Sequence, residues 1–432
     1  MLTVKDLATT RQMLCEIAAD LRGSGSLSGL QAQSADLASA LGQILAEPVL
    51  ARMDVPAFNR SLVDGYAVQA ADTFGASESL PAILRFVGEV KMGQVAELPL
   101  ELKTCQAVPT GGQIPAGSDA MIMIEDVDDF GDGFRYLNRA VSPGSYLVFR
   151  GDDIRAGEPL LTAGTRLEPR HLAAAAAAGL SHLPVLPKLR VAVLSTGDEL
   201  VAPGEALGPG QVHDVNQVML AAMIRQAGAL PVPFGIVPDD FDQLQTSMQQ
   251  VKSDCNIVVI SGGSSVGARD HVAAAIEAAG KPGILQHGIA VKPGKPTLIG
   301  LCDAIPVLGL PGHPVAAWFM ALQLMTPLLY WLQGLTEPEP STVRARLSQR
   351  IPSNHGREEF TPVRLDMPLA PDCLPEATPI YAKSGLIILL SRCQGYICIP
   401  RDCEGLDEGS TVTVVLIDTA AAEGMVKQPW LI

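Results

Sequence analysis

A chain of 432 residues is longer than one hydrophobic core organises, so two to four domains are expected. With 47% hydrophobic and 18% charged residues it is a folded chain, not a disordered one. A net charge of −15 repels phosphate backbones and anionic headgroups over most of the surface, so no nucleic-acid and no membrane partner is expected, and an anionic ligand must meet locally concentrated cations.

The opening residues Met1–Asp6 hold no basic stretch followed by an apolar one, so no secretory signal is visible and the expected location is cytoplasmic. Leu14, Ile17, Ala18 and Leu21, then Leu37, Leu41 and Leu45, predict two amphipathic helices separated by a glycine- and serine-rich stretch from Gly23 to Gly29. From Val55 to about Phe149, apolar runs such as 82–87 and 120–124 alternate with Gly, Pro and Asp clusters, the pattern of a β-rich domain. Within it, Asp64 precedes Gly65 in a run from Val55 to Val68, which by composition alone is a turn with a favourable Asp-Gly pair. Thr110 in Pro109–Gly112 and Asp153 in Gly151–Asp153 read the same way. An alanine-rich helix follows Arg166–His171.

Between Lys188 and Gly334 strands and helices alternate: strands at 191–194, 232–237 and 257–260, and helices after Asn216, Asp240 and Arg269. Such alternation implies an α/β domain with a mostly parallel sheet, whose ligands bind at the carboxyl ends of strands. The first of those ends, Leu194–Leu200, carries Ser195, Asp198 and Glu199; the carboxylates either hold Mg²⁺ or cap a helix. Gly210–Asn216 includes Asp214 and opens a helix, where Asn216 is an N-cap, a ligand contact or both. The most informative stretch is 256–270: an apolar strand runs into Ser261, Gly262, Gly263, Ser265 and Gly267 ahead of a helix, the pattern of a phosphate cradle. Asp270 at its end either binds metal or complements the helix dipole.

Farther on, Val291–Thr297 sets Lys292 and Lys295 among two prolines that restrict the backbone and keep both ammonium groups near one spot. Gly309–Pro314, with Pro311, His313 and Pro314, opens another helix, and His313 is expected to cap or pack there. The segment 314–335 has no charged residue and nearly suffices for a membrane span, but Gln323, Thr326, Pro327 and Gln333 favour a buried or interface helix. Past Glu337–Pro340, runs at 343–347, 360–365, 396–399 and 411–417 read as strands of a final β domain. Cys393, Cys398 and Cys403 match no zinc or cluster spacing, so reduced thiols are expected.

Five of these motifs, in order, carry a resemblance: Ser61–Val68, Ser195–Leu200, Ser261–Gly267, Lys292–Pro296 and Leu310–Pro314. Over about residues 40–418 the chain resembles molybdopterin molybdenumtransferases, the MoeA/gephyrin family of molybdenum-cofactor synthesis. The resemblance implies a multidomain α/β plus β fold: a linker domain from 1–50 and 150–187, a β-rich domain at 51–149, a molybdopterin-binding α/β domain at 188–336, and a C-terminal β-barrel at 337–420. It also implies a homodimer that inserts molybdate into adenylylated molybdopterin with release of AMP, assisted by Mg²⁺. Molybdopterin adenylyltransferase and apo-molybdoenzymes are the expected protein partners. Carried over by position, Asp64, Thr110, Asp153, Glu199, Lys292 and Lys295 are the catalytic candidates, with Asp64 and Thr110 acting across a cleft completed by the partner subunit. Ser195, Asp214, Asn216, Ser261, Gly262, Gly263, Ser265, Gly267, Pro311 and Pro314 are the ligand-binding candidates, and Glu199 and Asp270 the metal candidates. The chain departs from the common pattern at Ser264, at Ala268-Arg269, at His271 and at His313. Two alternative readings are a molybdopterin adenylyltransferase, which resembles the α/β domain alone, and a non-catalytic molybdopterin-binding scaffold.

Overall fold

A computed structural model describes residues 4–25, 31–262, 271–366, 373–381 and 387–417. Two compact units emerge, one of residues 32–186 and one of residues 1–31 with 187–432.

In the unit of residues 32–186, alternation along Ala82–Glu89 buries Leu84 and turns Ile83 and Arg85 outward, as a half-buried strand requires. This strand pairs in parallel with Thr104–Val108 and antiparallel with Phe134–Leu137. Gly65–Val68 lies between Thr104–Val108 and Ala120–Met123, and Val127–Asp128 completes six strands over a core that includes Tyr66, Leu84, Cys105, Ile122 and Leu137. A second body joins distant chain segments: His182–Leu186 lies between Gln33–Asp36 and Ile44–Leu45, with the helix Pro169–Ala177 nearby in sequence. The helix expected around Leu37, Leu41 and Leu45 does not form. Pairing of Leu45 with Val185 buries both side chains completely, whereas Leu41 stays 51% exposed, so the four-residue apolar spacing marks a turn between strands.

In the other unit, the helix Leu7–Gly23 does form and buries Leu7, Leu14, Ala18 and Leu21. These side chains join the core of the α/β domain, so residues 1–31 group with 187–432 and the expected 1–50 segment divides at residue 31. Residues 26–30 of the glycine- and serine-rich stretch lie outside the described residues.

The α/β domain is built from β1 (Arg190–Thr196), α1 (Val215–Gln226), β2 (Leu230–Val237), α2 (Phe241–Asp254), β3 (Ile257–Ser261), α3 (His271–Ala279), β4 (Pro282–His287), β5 (Leu298–Cys302) and β6 (Ile305–Leu310). The sheet order is β2-β1-β3-β6-β5-β4; only β5 runs against the others. All five residues of β3 are buried, which explains its uninterrupted apolar reading: both faces of the sheet are covered. Val191, Val193, Ile257 and Val259 face a core shared with Leu7–Gly23, α1 and the helical segment 314–332, while Ala192, Leu194, Val258 and Ile260 face α2 and α3. Because the chain leaves β1 for β2 on one side and returns to β3 on the other, a crevice opens between the carboxyl ends of β1 and β3.

The apolar stretch Pro314–Leu332 is long and apolar enough to cross a membrane, yet 67% of it is buried within the fold, as a core helix requires. It comprises helices Pro314–Met320 and Thr326–Leu332 joined by a π turn at Ala321–Met325. At the C-terminal end, Thr342–Leu347, Glu358–Asp366, Glu376–Pro379, Gly395–Ile399 and Thr411–Leu416 pair in a closed ring, a five-stranded barrel filled by residues such as Leu347, Val363, Ile397 and Val414. The short strand Val291–Lys292 adds in parallel to Glu358–Glu359 and so ties the barrel to the α/β domain.

Candidate functional site

The carboxyl ends of β1, β3 and β6 are drawn tightly together. Gly262 follows β3 at φ +112°, a conformation that disfavours a side chain, and a Cβ there would sit 2.1 Å from the Thr196 carbonyl oxygen. Its N–H donates to the Leu310 carbonyl at 3.2 Å, and Gly312 passes close on the far side. Across these ends lies α1. Asp214, not Asn216, is its N-cap, accepting the Gln217 N–H at 3.1 Å. Asn216 lies two residues on, in the first turn and buried, where its amide donates to Ser261 Oγ at 2.7 Å and to the Gly312 carbonyl at 2.8 Å. One side chain thus joins α1, β3 and the loop after β6.

Four buried polar atoms around this junction, Ser195 Oγ, Thr196 Oγ1, Asp214 Oδ2 and Asn216 Oδ1, have no hydrogen-bond partner among the described residues. Buried polar groups are rarely left unpaired, so four at one crevice mark where a polar ligand belongs. Glu199, on the loop after β1, is exposed and folds its carboxylate back over Gly197, while the neighbouring Asp198 accepts the Asp239 N–H at 3.2 Å. Gly263, Ser265, Gly267 and Asp270, with Ser264, Ala268 and Arg269, lie outside the described residues; His271 begins α3.

The loop after β6 also borders a cavity of about 730 Å³, lined by Pro311 and His313 from that loop and by Lys292, Lys295, Arg357 and Glu359. His313 stands at the N-cap of Pro314–Met320 without a side-chain cap bond, and Pro314 is the first helical residue. Lys292 Nζ donates to Glu359 Oε1 at 2.7 Å; Lys295 and Arg357 have no ion-pair partner among the described residues. The cavity therefore holds three cations against one carboxylate.

In the unit of residues 32–186 the structure groups the remaining candidates on one set of loops. Asp64 Oδ1 accepts the Thr110 N–H at 2.8 Å, and backbone bonds between Ser61 and Gly111–Gly112 lace the two turns together. The Asp153 N–H donates to the Val55 carbonyl, and that of Gly151 to the Pro56 carbonyl, so the second acid is carried on the same 55–64 segment. All three side chains are exposed. Among the described residues no group of three or more His, Cys, Asp or Glu side chains is placed to hold a metal ion. All eight cysteines are free thiols.

Sequence reasoning missed Thr196, Arg357 and Glu359. Thr196 adjoins Ser195 at a strand end and was open to the same argument, but Arg357 and Glu359 reach the site only through barrel pairing that local pattern does not reveal.

Fold and site together define a class: a multidomain α/β protein with a polar crevice at a strand switch point and a cationic cavity beside it. Family models agree along the chain, matching the MoeA N-terminal region (domain I and II) over residues 7–179, a "Probable molybdopterin binding domain" over 192–331 and the MoeA C-terminal region (domain IV) over 344–417. The chain is 35% identical over 334 residues to molybdopterin molybdenumtransferase 2 of Mycobacterium tuberculosis, covering 76% of this chain and 82% of that protein. It is 30% identical over 398 residues to the molybdopterin molybdenumtransferase of Bacillus subtilis, covering 88% and 89%. A solved structure, the molybdopterin biosynthesis MoeA protein of Pyrococcus horikoshii, superposes with a TM-score of 0.79 at 33% identity, covering 96% of this chain and all of that one. The chain belongs to the MoeA family of molybdopterin molybdenumtransferases.

Proposed function

We propose that the chain is a molybdopterin molybdenumtransferase that inserts molybdate into adenylylated molybdopterin and releases AMP with the help of Mg²⁺. The observation that carries this reading is the set of four unpartnered buried polar atoms beside a cavity rich in cations. Asp214 Oδ2 and Asn216 Oδ1 are acceptors suited to the N–H groups of a pterin, and the Ser195 and Thr196 hydroxyls both donate and accept. Lys292, Lys295 and Arg357 supply the local positive charge that a molybdate or phosphate dianion needs in a chain of net charge −15. Placed where charge builds on the leaving phosphate, such cations favour the transition state over the ground state.

The carboxylates fit Mg²⁺ only as a shared ion. No all-protein cage exists among the described residues, but an exposed Glu199 beside the crevice suits a cation that keeps waters and takes ligand phosphates as its other partners. When bound, Mg²⁺ would offset charge on the pyrophosphate. On the same reading, Asp64, Thr110 and Asp153 complete the reaction centre in a homodimer.

The test is AMP release from adenylylated molybdopterin by the purified chain, with Mg²⁺ and with molybdate or tungstate added separately. Oxyanion-dependent release that disappears in Lys292→Ala and in Asp64→Ala is expected. Tight ligand binding without AMP release would overturn the transferase reading in favour of a scaffold.

A further inference from the structure

Within the cationic cavity one group runs against the rest. Glu359 is buried, with 12% of its side chain exposed, and its carboxylate is fully engaged: Oε1 accepts Lys292 Nζ at 2.7 Å and Oε2 accepts the Ser353 hydroxyl at 3.0 Å. The parallel pairing of Val291–Lys292 with Glu358–Glu359 places Lys292 and Glu359 side by side on neighbouring strands, so the contact is fixed by backbone register. An acid held this firmly among Lys292, Lys295 and Arg357 opposes the entry of any anion.

We infer that Glu359 is a positioning residue that sets the oxyanion affinity of this cavity by holding Lys292. The carboxylate neutralises Lys292 and relieves repulsion among the three cations. Lys295 and Arg357 have no carboxylate partner among the described residues, a charge that matches a dianion. An entering tetrahedral dianion must share the Lys292 ammonium with Glu359, whose charge also opposes it, so binding is weaker, and release easier, than three free cations would give. A carboxylate that acted only as a strut between the barrel and the α/β domain would have a different signature: its loss would lower stability and would leave anion affinity unchanged or reduced.

The inference rests on the proposed role of the cavity as an oxyanion site, and one experiment separates the two. Inorganic molybdate binding to the full chain is measured by equilibrium dialysis for the wild type, Lys295→Ala, Lys292→Ala, Glu359→Gln and the Lys292→Ala/Glu359→Gln double variant, with each melting temperature recorded. Weaker binding in Lys295→Ala than in the wild type supports the cavity reading. Glu359→Gln is expected to bind molybdate about tenfold more tightly at low ionic strength, a gain that vanishes in the Lys292→Ala background. Equal or weaker binding by Glu359→Gln, while Lys295→Ala still weakens binding, overturns the inference and leaves the cavity reading standing. Failure of the wild type to bind molybdate, or no effect of Lys295→Ala, overturns both. If the Gln variant does not fold, Glu359→Asp carries the test. Its shorter side chain loosens the pair, and tightening by about twofold to threefold is expected, with equal or weaker affinity again decisive against.

Discussion

Gly262 shows how one backbone position organises the crevice. It has φ +112°, and an added Cβ would meet the Thr196 carbonyl oxygen at 2.1 Å, an approach that no rotamer relieves because the backbone fixes the position of Cβ and the oxygen is main chain. Gly262→Ala must therefore push β1 and β3 apart at the point where Asn216 spans from α1 to Ser261 and Gly312. A loss of about 3 kcal/mol or more is expected in urea unfolding, together with loss of molybdopterin binding; a variant that binds normally would show that the close approach is not needed. The glycine itself was legible in the sequence, because a strand that ends in glycines and hydroxyls before a helix has few other uses. Its neighbours were less so. Asp214 has the Ser/Thr/Asp/Asn chemistry of an N-cap just as Asn216 does, and only the helix start at Val215 decides between them, leaving Asn216 free for its bridging role.

The helix Leu7–Gly23 illustrates the same logic at the scale of an element. Its N-cap Asp6 accepts the Thr9 N–H at 2.7 Å, and that backbone bond is the main cause holding the Asp6 carboxyl below its usual range; the Thr9 side chain follows in weight, and Arg401 at 3.3 Å adds a smaller pull. A depressed carboxyl contributes stability that is present above its unfolded value and is lost as pH falls through the folded one. Asp6→Ala is expected to cost about 1 kcal/mol at neutral pH, and the gap from the wild type should close in urea titrations carried below the carboxylate range. A gap that stays constant with pH would deny the cap its charge. One turn on, Arg11 repairs a defect in another element. Pro327 has no N–H to offer the carbonyl four residues back, that of Gln323; the helix opens into a π turn there, and Arg11 Nη1 donates to the Gln323 oxygen at 2.6 Å. The proline was visible in the sequence, but not the arginine more than three hundred residues away that makes it tolerable. Likewise the α/β elements were readable from their periodicity, whereas Leu37, Leu41 and Leu45 mimicked a helix because partner strand His182–Leu186, which buries Leu45, lies far along the chain.

At the scale of the molecule, the unit that contains the α/β domain and the barrel depends on contacts that composition could not place. The lysine pair was identified from its prolines and the acidity of the chain, but Arg357 and Glu359 join it only because Val291–Lys292 pairs with a barrel strand. That junction is reinforced by aromatic packing. Phe319, fully buried in the helical segment, stacks on Phe360 of the barrel at 5.3 Å between ring centroids and meets Tyr396 edge-on at 5.4 Å, while Phe360 and Tyr396 contact each other at 5.9 Å. Phe360 also lines the cationic cavity, so through this one ring the mechanical joint forms part of the floor of the site. Phe319→Ala removes the one ring of the three that the helical segment contributes, and a well-packed site of this kind leaves a cavity that its rigid neighbours cannot fill. A loss of about 3–5 kcal/mol is expected, against about 1 kcal/mol for Phe319→Leu, which keeps most of the volume. Trp318, whose ring lies 4.8 Å from that of Phe319, gives the measurement a local reporter: its fluorescence should move in the urea transition well before the wild-type midpoint. If the barrel were held chiefly by strand pairing, Phe319→Ala would lower that midpoint little and molybdate affinity would persist; if the aromatic joint holds the floor of the cavity in place, stability and affinity fall together.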